Sequence, residues 1–308
     1  MDTEGTIDRF RGCLVGLAVG DALGAPVEGL PAAEISERYG WLDQLVGGGW
    51  LGLRPGEWTD DTAMMLCIAR SIVARGGFDP GDVAARFLAW FQEGPRGIGR
   101  TTWLALDALK GGATWREAGR WAHYVLGGLS AGNGSIMRCA PVALLSCRDQ
   151  ARLIAQSIES SLITHWDPQA CWGAAALNLA IARLLLGEEG PLIEAVRPLV
   201  EEPRVAAALA QVPAMTMADI EPSAYCLDTL KAALWCFLTS SSFEGAVTAA
   251  VNLGGDADTT GAVCGALAGA AYGLGAIPQR WQAPLVARDE MVALADDIYR
   301  LAFAGPTS

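Results

Sequence analysis

Gly254-Gly255-Asp256-Ala257-Asp258-Thr259-Thr260-Gly261 leads directly into Ala262 to Pro278, one of the least polar runs in the chain. The run approaches the length of a membrane span, and Gly261, Gly265, Gly269 and Gly273 recur every fourth position, a spacing that lets two helices approach closely. Its bulk is Ala and Gly rather than Leu or Ile, and its start is crowded with carboxylates. These features predict a tightly packed helix inside a helical bundle, with a second backbone lying against the glycines. The acidic start is open to two readings. Asp and Thr cap helices, and acids in a first turn are favoured by the helix dipole. Yet four oxygen-bearing side chains within five positions behind a Gly-Gly turn also resemble an oxygen-rich cation site.

The helical period extends along the chain. Ile7, Phe10, Leu14 and Leu17 repeat every three or four residues, as do apolar positions around Met64–Val73, Val83–Phe91, Ala170–Leu186 and Leu227–Leu238. Strand alternation is hard to find. Turn signals fall at Gly76-Gly77, Gly94-Pro95, Gly127-Gly128, Gly132-Asn133-Gly134, 188–191 and 276–278. No linker or internal repeat divides the sequence, so residues 1–308 are expected to form one all-α domain. The proline-rich stretch 188–222 is the candidate for a peripheral insertion or lid.

Hydrophobic residues make up 52% of the 308, which excludes a disordered chain, and a net charge of −12 argues against a general nucleic-acid binder. The eight cysteines are scattered, mostly in apolar runs and without a C-x-x-C pair, and read as buried thiols of a reducing compartment. The N-terminal MDTEGTIDRFRG lacks the basic start and apolar stretch of a secretory signal. A cytoplasmic protein without a membrane span is expected.

The stripe 7, 10, 14, 17 continues to Asp21, a carboxylate facing the core near a helix end, where desolvation and the dipole both oppose its charge. It calls for a partner, either in the backbone or in a site. Trp58-Thr59-Asp60-Asp61-Thr62 repeats the theme of the opening stretch, with paired acids and threonines before the apolar helix AMMLCIARSIV. Asp and Thr oxygens are hard ligands, suited to Mg²⁺ or Mn²⁺. Two such clusters meeting in a bundle would hold a cation pair about 4 Å apart. His123 and His165 are too few for a histidine-based zinc site, and His123 is assigned no role. Gly132-Asn133-Gly134-Ser135 is either an Asn-Gly turn or a diphosphate cradle at a helix start. Mg²⁺-diphosphate terpenoid synthases share the helical aspartates, but the spacing Asp-Asp-x-x-Asp fails here at Met64.

Taken in order, residues 12–29, 47–66, 132–144, 163–170, 223–235 and 251–273 resemble the ADP-ribosylglycohydrolase family, most closely its dinitrogenase reductase-activating branch, over nearly the whole chain. The resemblance implies a compact orthogonal multi-helix bundle with a binuclear Mg²⁺ or Mn²⁺ cleft. It places the metal ligands at Thr59, Asp60, Asp61, Asp256, Asp258 and Thr259, and the proton-handling carboxylates at Glu28, Asp60 and Asp61. Asn133, Gly134, Ser135 and Met137, with His165 and Tyr225 as further walls, would hold ADP-ribose. The implied reaction is hydrolysis of the bond between ADP-ribose and a modified protein side chain, arginine first. A serine, nucleic-acid or small-conjugate linkage, or a non-catalytic ADP-ribose binder, is the alternative. Gly97-Ile98-Gly99-Arg100 departs from the arginine-acting pattern, which has an acid at the first of these positions. Glu93, one turn upstream, is the candidate replacement, and Asp167 stands where close relatives often have a second histidine.

Overall fold

A computed structural model describes residues 3–304, in which helices and turns account for the regular structure and only isolated β-bridges occur. The helices run α1 (Thr3–Gly24), α2 (Ala32–Tyr39), α3 (Asp60–Arg75), α4 (Pro80–Gln92), α5 (Arg100–Lys110), α6 (Trp115–Val125), α7 (Ala140–Ser146) and α8 (Gln150–Leu162). They continue through α9 (Pro168–Leu186), α10 (Leu192–Val196), α11 (Pro203–Gln211), α12 (Cys226–Thr239), α13 (Phe243–Asn252), α14 (Ala257–Tyr272), α15 (Gln279–Gln282) and α16 (Arg288–Phe303). The predicted all-α architecture is what forms. Asp79, Asp149 and Asp167 cap the helices that follow them by accepting backbone N–H bonds, and Gly76 and Gly187 end helices in the left-handed conformation.

The central pair is α1 against α14. The backbone predicted to lie on the glycines of α14 belongs to α1, which carries its own stripe at Gly12, Gly16, Gly20 and Gly24. A Cβ on Gly20 would sit 1.9 Å from the Gly261 carbonyl oxygen, one on Gly16 2.4 Å from that of Gly265, and one on Gly12 2.4 Å from that of Gly269. The two helices therefore cross antiparallel at a separation that admits no side chain. From Gly12 onward α1 is buried on every face, so its apolar stripe marks only part of its contact surface. The helix at 257 ends at Tyr272 rather than running on to Pro278, because Gly273 turns the chain at φ 79°.

This pairing places the C-terminal end of α1, with Asp21, beside the first turn of α14. Packing of α3 on α1 and α14 brings the start of α3 to the same point. The helical segments Thr3–Val27 and Pro168–Leu186 are long and apolar enough to cross a membrane, and 94% and 72% of their most apolar stretch is buried inside the fold. All eight cysteines are free and buried, as expected. The 188–222 stretch forms short helices packed on α9 and α12, with the Trp235 indole donating to the Met215 carbonyl. No described residue of that stretch lines the cleft below.

Candidate metal centre and ADP-ribose cleft

Asp21 solves its own problem by capping another helix. Its carboxylate accepts from the backbone N–H of Thr59 at 3.0 Å, from the N–H of Thr62 at 3.0 Å and from the Thr62 hydroxyl at 2.6 Å. These N–H groups belong to the start of α3, where no intrahelical acceptor exists. Burial pushes the Asp21 carboxyl up to about 6, against the opposing pull of these bonds. Asp21 is thus a positioning residue beneath the Thr-Asp-Asp-Thr cluster.

Above it, Asp60 and Asp61 emerge from the first turn of α3, while Asp258 and Thr259 emerge from the first turn of α14. The Thr259 side chain acts against the rise in the Asp61 pKa, so the two clusters, some two hundred residues apart in the chain, face each other. The Thr59 hydroxyl also lies 3.4 Å from Asp61 Oδ1. Glu28 enters from the turn after α1, where its loop is tied to the Gly-Gly turn by Gly29 N–H to Gly255 carbonyl at 2.7 Å and Gly255 N–H to Leu30 carbonyl at 2.8 Å. The result is a group of carboxylate oxygens from Glu28, Asp256 and Asp258 within 4.8 Å of one another.

The charges are poorly solvated. Burial pushes Asp60 up to about 8, with Asp21 adding to the effect, and burial followed by Asp21 holds Asp61 well above the ordinary carboxyl range. Asp258 is raised likewise, by burial first and Asp61 second. Asp61 Oδ2 and Asp258 Oδ1 are buried with no hydrogen-bond donor among the described residues. Buried carboxylates normally have donors or a metal. An oxygen-only set with two orphaned oxygens fits hard divalent cations, and a cap alone would not leave such oxygens bare.

The cleft is lined by Glu28, Asp60, Asp61, Asp256, Asp258 and Thr259 on its acidic side, and by Gly132, Asn133, Gly134, Met137 and His165 on the other. Asn133 donates to Asp256 Oδ2 at 2.6 Å and to the Thr229 hydroxyl at 2.9 Å, so its side chain locks the acidic cluster to the glycine loop. A Cβ on Gly134 would stand 2.7 Å from His165 Cε1, which keeps that backbone bare toward the cleft. Two residues expected in the ADP-ribose wall are placed otherwise. The Ser135 hydroxyl turns inward to the Ala170 carbonyl at 3.3 Å, and the Tyr225 hydroxyl donates to the Gln169 side chain beside the cleft.

Sequence reasoning overlooked Trp50, Thr101 and Thr102. The exposed Trp50 indole donates to Glu28 Oε2 at 2.7 Å and fixes that carboxylate, whose pKa burial raises. Arg100, Thr101 and Thr102 complete the wall. The only available signal was their place next to the loop that departs at Gly97. Gly97 itself lines the cleft with φ 86°, a backbone state that side chains rarely adopt, and a Cβ there would touch the Leu51 methyls at 3.4 Å. Arg96 donates to the Leu51 carbonyl at 2.8 Å and is occupied holding this loop. Glu93 lines a separate hollow with Arg70 and Arg86, so it does not replace the missing acid. Asp167 serves as the α9 cap, and His123 bonds the Ser130 hydroxyl at 2.6 Å.

Fold and cleft together define an all-helical protein with a candidate hard-cation centre facing a glycine-lined cradle. Residues 2–306 match the ADP-ribosylglycohydrolase family, and the chain belongs to it. It is 35% identical over 286 residues to ADP-ribosyl-[dinitrogen reductase] glycohydrolase of Rhodospirillum rubrum, covering 90% of each chain. It is 34% identical over 307 residues to ADP-ribosylarginine hydrolase Tri1 of Serratia proteamaculans, covering 96% of this chain and 80% of that one. A solved ADP-ribosylglycohydrolase-related protein complex superposes with a TM-score of 0.82 at 40% identity, over 97% of this chain and all of its counterpart.

Proposed function

We propose that this protein is a Mg²⁺- or Mn²⁺-dependent hydrolase that releases ADP-ribose from modified arginine side chains. The observation that carries the reading is the meeting of two Asp/Thr helix starts and Glu28 in one cleft, with Asp61 and Asp258 each keeping a buried oxygen without a donor. Thr59, Asp60, Asp61, Asp256, Asp258 and Thr259 would hold the cations. When bound, these supply positive charge that offsets the acidic cluster and orients ribose hydroxyls and water.

The chain's own groups do the rest. Hydrolysis adds water across the bond at the anomeric carbon, so one proton leaves the water and one reaches the departing group. We assign the proton transfers to Glu28. Burial raises its pKa, which favours a carboxyl that can carry a proton, and the Trp50 N–H holds one of its oxygens. The Asp60/Asp61 pair shares that role in our assignment. Asn133 keeps Asp256 fixed during the step, and the bare Gly132–Gly134 backbone accommodates the ADP-ribose chain.

Arginine is supported by relatives whose names specify it, over nearly the full chain. A second reading, a non-arginine linkage, has Gly97 and the exposed Arg100 in its favour, since the cleft wall there offers a guanidinium no carboxylate. The test is turnover of ADP-ribosylated arginine, serine and nucleic-acid substrates by metal-stripped and reconstituted protein. We expect no turnover without metal, restoration by Mg²⁺ or Mn²⁺, and preference for arginine. Full activity of stripped protein would remove the metal from the reading. Faster turnover of a serine- or phosphate-linked substrate would remove arginine.

A further inference from the structure

Arg138 is a fully buried guanidinium with no carboxylate partner among the described residues. Its Nη1 donates to the Gly134 carbonyl at 2.5 Å, its Nη2 donates to the Thr164 hydroxyl at 2.6 Å, and its Cζ lies over the Phe87 ring, 4.8 Å from the centroid. The Thr164 oxygen in turn lies 2.8 Å from Nδ1 of His165, and both residues are buried. Burying a cation is costly even after relaxation, so the arrangement calls for a reason.

The hydrogens along this line can be assigned from donor chemistry. A guanidinium only donates, so Thr164 Oγ1 accepts from Arg138. The hydroxyl has one hydrogen. If His165 Nδ1 carried a proton, Oγ1 would accept twice and its own buried hydrogen would have no acceptor, a costly state. The hydroxyl therefore donates to Nδ1, and Nδ1 is the bare nitrogen. A doubly protonated ring is opposed by burial first and by the Arg138 charge second, which together hold the His165 pKa near about 3. The remaining proton sits on Nε2, which lies 3.5 Å from where a Cβ on Gly132 would be and 3.1 Å from the corresponding point on Gly134, at the cleft wall.

We propose that Arg138, acting through Thr164, locks His165 in the Nε2–H tautomer so that it presents a permanent hydrogen-bond donor to an oxygen of ADP-ribose over the Gly132–Gly134 cradle. Arg138 and Thr164 are then positioning residues. The same guanidinium fixes the cradle through the Gly134 carbonyl, so loop and donor are set by one group. The inference about the donor's ligand rests on the ADP-ribose reading above, whereas the tautomer does not.

The chain has only two histidines, so ¹⁵N chemical shifts of its imidazoles report the tautomer directly, with His123→Gln identifying the His165 signals. In the full-length protein we expect His165 Nδ1 to show the unprotonated shift and Nε2 the protonated one. Thr164→Val, which keeps the shape and removes the hydroxyl, should lose this lock and weaken ADP-ribose binding to the metal-loaded protein about tenfold. Thr164→Ser should restore both. A protonated Nδ1 in the wild type, an unchanged His165 spectrum in Thr164→Val, or unchanged ADP-ribose affinity in that variant would each overturn the proposal. Failure of the wild type to bind ADP-ribose would overturn the ligand and with it the proposed function, with the tautomer decided by the spectra alone.

Discussion

At the scale of single residues, the cleft depends on carboxylates whose environments oppose their charge. Asp60 and Asp258 come from different helix starts, and each contributes a buried oxygen-bearing group to the same small volume. Asp60→Asn and Asp258→Asn retain shape while removing a ligand charge, and each should lower turnover by at least about a hundredfold with the fold intact by circular dichroism. Near-normal turnover of either variant would refute the ligand assignment. The paired acids were legible in sequence because Asp-Asp and Asp-Ala-Asp beside threonine are unusual for caps. Asp21 was legible only as a carboxylate in need of a partner. Its partners, the N–H groups of Thr59 and Thr62, lie about forty residues away in sequence and could come from nothing but the packing of α3 on α1. Ser135 shows the converse. It stands in the right motif, yet its hydroxyl is taken by a carbonyl on the core side.

At the scale of elements, the site is held by the contact between α1 and α14. The glycine spacing in α14 announced a close neighbour without saying which. The matching stripe in α1 identifies it, and the carbonyl contacts show that both helices gave up side chains to bring Asp21, Glu28, Asp258 and the start of α3 into one place. Gly20→Ala would put a methyl 1.9 Å from the Gly261 carbonyl oxygen, which requires the helices to separate. We expect a loss of at least about 3 kcal/mol, the upper part of the range for overpacking a core. For a chain of this size that is a fall in Tm of roughly 5 °C or more. Gly77→Ala, whose Cβ would meet nothing closer than the Arg152 guanidinium at 4.0 Å, is the control and should change Tm little. Equal effects of the two substitutions in thermal unfolding would refute the close-packing account.

At the scale of the whole molecule, the buried acids tie stability to pH and to cation binding. Burial raises Asp21 to about 6 and Asp60 to about 8, and raises Asp61 and Asp258 as well. In the unfolded chain these groups titrate near about 3.9. Between those values the metal-free native state binds more protons than the unfolded state, so its stability falls as pH rises. Stripped protein should therefore melt at a lower temperature at pH 8 than at pH 5, by roughly 5 °C or more, and saturating Mg²⁺ or Mn²⁺ should recover most of the difference at pH 8. A metal-free Tm that is flat or rises over this range would show that the acids are not buried as described.

What the sequence determined by itself was the helical class, the expectation of one continuous fold and the residue types of a hard-cation site. Helical period, capping chemistry and glycine spacing are local properties, written within a few turns of chain. Tertiary structure alone decided which helix lies against the glycines of α14, that Asp21 caps α3 from a distance, that Trp50 holds Glu28, and that Arg138 reaches His165 through Thr164. Each of these joins segments through one or two hydrogen bonds or a backbone contact, and their direction is fixed by packing rather than by any pattern in the residues nearby. Gly97 belongs to both. The missing acid is visible in the sequence, but its φ of 86° explains why a glycine suits that position.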